Sequence, residues 1–207
     1  MSESVPDAYL GVWKRALLRT PEFEDTTSTV LWLQTSTWHG DIRIPTSRPP
    51  CAGRRSLDDC SHEELLGLAR QQGFSGVTRV EGDLCSWLRR ADFQPPSRFE
   101  DIGRMEFESS ERLFEYGVHQ EYFDIWERLP LSTGHENVAV ESPPDGEESV
   151  SCPTRILLAT GNYFIQVRPR PLVLPQADDL LALGTAESTL RALLDFEISF
   201  GTRSPGG

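Results

Sequence analysis

Much that would assign a function is missing from this chain. No run approaches the about 18 apolar residues that a membrane-spanning helix needs, and the opening MSESVPDAY has no basic region followed by an apolar core. Neither a span nor a secretory leader is therefore expected. The four cysteines, Cys51, Cys60, Cys85 and Cys152, are scattered without a CxxC pair, which reads as free thiols in a reducing, cytoplasmic compartment. Cys60 with His62 lacks a second close ligand pair, so no metal is expected. Nor is there a basic stripe. The 20 Lys and Arg stand against 32 Asp and Glu, for a net charge of -12, which argues against nucleic acid and anionic membrane surfaces as partners. No Gly-x-Ser-x-Gly element, phosphate loop or paired metal-ligand segment is present, so no motif announces an enzyme and no cofactor is expected.

What is present is a pattern written twice. YLGVWKR followed by VLWLQTSTWHGDIRIP is matched by YFDIWERLP followed by RILLATGNYFIQVRP. Trp13 and Arg15 match Trp126 and Arg128, while Leu31, Leu33, Thr35 and Arg43 match Ile156, Leu158, Thr160 and Arg168. A period this long points to two tandem domains rather than a solenoid. We place them at 1–118 and 119–207. Each is small enough that contact between them is expected to contribute to stability.

Residues 8–18 read as a strand around Trp13. Residues 28–44 form a hairpin rich in β-branched and aromatic residues, and in the second copy Gly161-Asn162 supplies the two-residue turn. Ser61 with Glu64 forms a capping box at the start of a helix that Gly73 is expected to close. PQADDLLAL, ended by Gly184, is its expected counterpart. Further strands are expected at 74–80, 84–93, 103–108 and 112–118, and PPDGEE at 143–148 reads as an acidic loop. Strand after strand with one short helix per copy points to antiparallel barrels. After its helix the second copy has only STLRALLDFEISFG before an SPGG tail. Its barrel is then open, or completed by another chain, or cut short, and an unpaired edge invites a partner. Monomer and homodimer both fit.

A turn at Ser36-Thr37 fixes which hairpin residues share a face, because opposed residues in an antiparallel pair point the same way. One face carries Thr35 with Trp38, Leu33 with Gly40 and Leu31 with Ile42. The other carries Gln34 with His39, Trp32 with Asp41 and Val30 with Arg43. The first face is apolar in both copies, so the simplest reading buries it inside the barrel. The row of Trp32, Gln34, His39, Asp41 and Arg43 is then an outer surface, either solvated or available to a partner. If that row points inward instead, His39 and Asp41 suit a base and its orienter, and Arg43 suits an anionic substrate. Arg104 and Glu106 alternate with Met105 and Phe107 and pose the same choice.

Gly11-Val12-Trp13 resembles the Gly-x-Trp signature of lipocalins and other calycin barrels. Taken with LWLQTSTWHGDIRIP, GDLCSWLRRADFQPP, DIGRMEF, EYGV and the second WERLP, the chain resembles a small family of bacterial and fungal proteins named in yeast for interaction with a casein kinase. The resemblance covers roughly residues 8–200. It implies an all-β fold of two tandem lipocalin-like antiparallel β-barrels, each with one short helix, the second smaller and incomplete. It supplies no catalytic residues, and in the second copy Asp124-Ile125-Trp126 departs from Gly-x-Trp. The leading expectation is a non-catalytic binding protein. Its barrel would hold a small apolar or amphipathic molecule among Leu31, Leu33, Trp38, Ile42, Met105 and Phe107. The alternatives are a protein-interaction module using the outer hairpin face, and an isomerase, cyclase or hydratase acting on a hydrophobic metabolite.

Overall fold

The computed structural model describes residues 4–51, 53–142 and 153–203. The first strand, β1 (Gly11–Arg19), carries a two-residue rung, β2 (Glu24–Asp25), and pairs beyond it with β3 (Thr29–Gln34). A meander follows through β4 (Trp38–Ile44), β5 (Gln72–Glu81), β6 (Leu84–Asp92), β7 (Ile102–Phe107), β8 (Arg112–Gly117) and β9 (Phe123–Arg128). β9 pairs back onto β1, so these strands, the β2 rung apart, close an eight-stranded antiparallel barrel. Four further strands form an open antiparallel sheet in chain order: β10 (Glu136–Glu141), β11 (Arg155–Thr160), β12 (Tyr163–Arg168) and β13 (Glu197–Thr202).

The strand that repeats the first tryptophan does not begin a second barrel. β9, with Trp126, lies beyond the boundary set at residue 118 and supplies the last stave of the first barrel. A second closed barrel is not formed among the described residues: the second sheet stays open, with β10 and β13 at its edges. The physical reason is that β9 goes to the first barrel, and the chain between β12 and β13 forms a 3-10 turn and a helix instead of further strands.

Local signals fare better. In the first hairpin Leu31 stands opposite Ile42, Trp32 opposite Asp41 and Gln34 opposite His39, as the turn at Ser36-Thr37 requires. In the second, Ile156 faces Val167 and Thr160 faces Tyr163, with Gly161 at a φ of 51° in the turn. Helix α1 (His62–Leu68) opens on the capping box: the Glu64 amide donates to Ser61 Oγ at 3.2 Å, and the Ser61 amide donates to the Glu64 carboxylate at 2.7 Å. It ends at Ala69, and Gly73 belongs to β5. Within PQADDLLAL only a 3-10 turn forms, at Leu181–Leu183. The counterpart helix is α2 (Glu187–Leu193), because Leu190, Leu193 and Leu194 share one side at helical spacing and pack with Leu65, Leu68 and Phe93. The acidic loop at 143–148 lies outside the described residues.

The barrel has two apolar environments, one within it and one against its wall. Inside sit Trp13, Trp32, Trp87 and Trp126 with Phe74, Met105 and Leu113. Outside, Val12, Leu33 and Ile42 meet Ile156, Leu158, Ile165 and Val167 of the second sheet, with Leu31 and Trp38 at the margin. Contact is close at Gly40, where an added Cβ would lie 2.6 Å from Ile165 Cγ2. Gly40→Ala should therefore cost about 1–3 kcal/mol in urea unfolding. Ile165→Ala should cost less in that background than alone; simple additivity in the double-mutant cycle would contradict the contact.

Candidate functional site

The hairpin row assigned to the outer surface faces the barrel interior. Trp32, Gln34, His39 and Asp41 are each no more than 2% exposed. The apolar row is the one outside, covered by the second sheet, so Leu31, Leu33, Trp38 and Ile42 line no barrel cavity. Both faces of the hairpin are thus covered, and the outer hairpin surface expected to receive a partner is not free. Met105 and Phe107 do point inward, with the Phe107 ring centroid 4.9 Å from Tyr9 and 6.1 Å from Trp13. Arg104 and Glu106 lie on the exposed outer wall, 3.9 Å apart, with the Arg104 guanidinium over Tyr116.

Most of the hairpin's inward polar atoms are paired, as burial demands, with His39 Nε2 the exception. Gln34 Oε1 accepts from Trp32 Nε1 at 3.1 Å and from the Thr78 hydroxyl at 2.8 Å. Since the single Thr78 hydrogen is used there, His39 Nδ1 must be the donor across its 3.0 Å bond to Thr78 Oγ1. That fixes the tautomer and leaves His39 Nε2 a bare lone pair, buried without a partner. Burial first, then the nearby Arg89, holds this imidazole down at a pKa of about 3, so it is neutral. It is a base in form only, because the small void in the barrel is not lined by His39.

The charged groups gather around the same interior. Arg43 Nε donates to Asp41 Oδ1 at 2.7 Å. Arg15 Nη2 donates to Asp25 at 3.1 Å, with its Nε 4.0 Å from Asp124. Arg89 donates to Asp92 at 2.8 Å and to Asp101 at 2.6 Å. The guanidinium carbons of Arg43 and Arg89 lie 5.2 and 3.6 Å from the centroid of the one Phe74 ring. Glu115, opposite Asp124 across β8 and β9, accepts from Tyr122 at 2.5 Å and from Trp126 Nε1 at 2.8 Å. Burial, then the Asp124 carboxylate, pushes Glu115 up to about 8. Asp124 is also raised, by burial, against the pull of Arg15 and Arg43.

Of these groups, sequence reasoning found Trp32, Asp41 and Arg43. It missed Arg15, Asp25, Phe74, Trp87, Arg89, Asp92, Asp101, Glu115 and Asp124. A signal was available in β6 and β9: Arg89 falls two residues after Trp87, and Asp124 two before Trp126, on the same side of each strand as a tryptophan.

Little room remains inside. The void among Trp32, Phe74, Trp87, Trp126, Asp41, Arg43, Asp101 and Glu115 is about 10 Å³, the scale of one water. A ligand chamber needs about 300 Å³ or more. An eight-stranded barrel is just wide enough for side chains to fill it, and here the tryptophans do so. Among the described residues, the space around Trp32 is therefore not the expected chamber for an apolar molecule.

A larger opening lies at the barrel wall. β6 pairs with β7 only over Leu84–Ser86, extended by the Trp87 amide donating to Asp101 O at 2.9 Å. From Leu88 to Asp92 β6 has no strand partner on that side among the described residues. A cleft of about 1830 Å³ occupies the gap, bounded by the 94–102 loop and by residues 168–174 after β12. Leu84, Phe99, Leu172 and Val173 expose apolar surface on it, and Trp87, Arg89, Asp92 and Asp101 bring it to the charged groups. Trp87 and Asp101 line both the cleft and the inner void.

Compared with protein-family models, curated proteins and solved structures, the chain matches none.

The raised Glu115 has a measurable consequence. Unfolded, it ionises near 4.5; folded, it holds its proton until about 8. Between those values the native state binds more protons, so this group's contribution to stability falls as pH rises. Glu115→Gln should remove that decline, so that the wild-type and variant unfolding free energies diverge across the window. Parallel pH profiles would contradict the shift.

Proposed function

We propose that this is a non-catalytic binding protein whose site is the cleft between β6, the 94–102 loop and residues 168–174. The observation that carries this reading is the grouping of four exposed apolar side chains around one opening whose floor meets the ion pairs of Arg89 with Asp92 and Asp101. Scattered exposed apolar residues are normal on a soluble surface, whereas Leu84, Phe99, Leu172 and Val173 on one concave feature suit a ligand. The ligand is a small amphipathic molecule held outside the barrel rather than within it.

We further infer that the barrel is of the lipocalin-like kind and that the second sheet is a reduced copy of its first half. The up-and-down closure of eight strands and Gly11-Val12-Trp13 on β1 support the first inference. The shared order of hairpin, 3-10 turn, short helix and strand in both halves supports the second. Cys51, Cys60 and Cys85 are free thiols, in keeping with a cytoplasmic protein. No helix among the described residues is long and apolar enough to cross a membrane.

Nile red, a neutral amphipathic dye, tests the site without reference to charge. It should bind saturably, and the Leu172→Asp, Val173→Asp double variant should abolish that binding while leaving the unfolding midpoint in place. Absence of saturable binding, or binding unaffected by the double variant, would refute the assignment.

A further inference from the structure

Resting on the cleft being the binding site, the backbone along its floor indicates which class of molecule fits there. In an antiparallel ladder the N–H and C=O groups of every second residue point to the same side of the strand. The Trp87 amide donates to Asp101 O at 2.9 Å, so Arg89, two residues on, aims its own N–H and C=O the same way, into the gap. The pairing of β6 with β7 stops at Ser86, and among the described residues neither Arg89 backbone group has a partner on that side. Arg90 is the extra residue of a bulge between the Arg89–Gly76 and Ala91–Ser75 pairs, and a bulge bends its strand and ends regular pairing. The free edge is therefore short and centred on Arg89.

Charge on the cleft is balanced. Five arginines and five carboxylates line it, among them Arg89 with Asp92 and Asp101, and Arg168 with Asp195 at 2.9 Å. Neither sign is in surplus to draw an ion, whereas a free strand edge is matched by peptide groups, which carry no charge. We propose that the ligand is a short extended peptide without net charge that adds to β6 as a strand, antiparallel to it and in line with β7. The residue opposite Arg89 exchanges both backbone hydrogen bonds with it and points inward as Arg89 does. The interior beside Trp87 and Asp101 has a void of only about 10 Å³, so that residue is small. Its two neighbours point outward, as Leu88 does, onto the apolar surface offered by Phe99, Leu172 and Val173. The recognised pattern is apolar, small, apolar.

Acetyl-Thr-Leu-Ala-Leu-Thr-amide, whose blocked ends carry no charge, is the probe. Its control is the same peptide N-methylated at the alanine, which has no hydrogen to donate to the Arg89 C=O. In isothermal titration the first peptide should bind with a stoichiometry of one and the methylated peptide at least about tenfold more weakly. Saturating peptide should also slow hydrogen exchange of the Arg89 amide, read by NMR. The Leu172→Asp, Val173→Asp double variant should bind neither the peptide nor Nile red. Equal affinity for the two peptides, or an Arg89 amide whose exchange does not change, would overturn strand addition while leaving the cleft in place. Failure of the peptide to bind by about 1 mM where Nile red does bind would overturn it in the same way. If Nile red also fails, the cleft assignment and this inference fall together.

Discussion

The structure depends on the packing of Trp32 against the other three interior tryptophans. Its ring lies 6.3 Å from Trp13, 5.5 Å from Trp87 and 5.8 Å from Trp126, so β1, β3, β6 and β9 meet at one side chain. The Trp13 pair is stacked and the Trp87 and Trp126 pairs are edge-to-face, and aromatic pairs of these kinds contribute about 0.5–1.5 kcal/mol each beyond the burial of their area. Three of the indoles also find acceptors: Trp13 donates to Tyr9 O, Trp32 to Gln34 and Trp126 to Glu115. The aromatic cluster thereby fixes where the polar groups stand. Glu115 is held under Trp126 and Gln34 under Trp32, and the charged groups fill the space that the rings leave.

A filled barrel changes what such a fold can do. With a void of about 10 Å³, its interior supports the wall instead of holding a ligand. Recognition then moves to the place where the wall is incomplete. The gap after Ser86 exposes Trp87, Arg89 and Asp101 to a cleft, and residues 168–174 from the second sheet's side complete its rim. The second sheet therefore has two tasks. It covers the apolar outer face of the hairpin, and it carries one side of the cleft into position.

Pairing was legible in the sequence; orientation was not. Turn position set both hairpin registers, and Ser61 with Glu64 set the start of α1, because these are local rules of backbone geometry. Alternation along 29–44 separated two faces correctly but could not say which was inside. The apolar face is buried by another sheet, and the polar face can be buried because Thr78, Arg43 and Gln34 pair with all but one of the inward atoms of its ring, amide and carboxylate groups, His39 Nε2 being left bare. Likewise the second tryptophan strand copies the first in sequence, yet barrel closure is a long-range event. Trp126 reaches Trp32 only once β9 has paired with β1. The counterpart helix, expected at PQADDLLAL, forms in STLRALL for a related reason: its leucines acquire meaning only against α1 and Phe93.

The claim on which the rest turns is that Trp32 points into the barrel, and unfolding of Trp32→Ala in urea tests it most directly. A ring packed against three others should cost about 3–5 kcal/mol when removed, with a loss of near-ultraviolet circular dichroism from the coupled indoles. A change within about 0.5 kcal/mol, as expected for a side chain on the outer surface, would contradict the account.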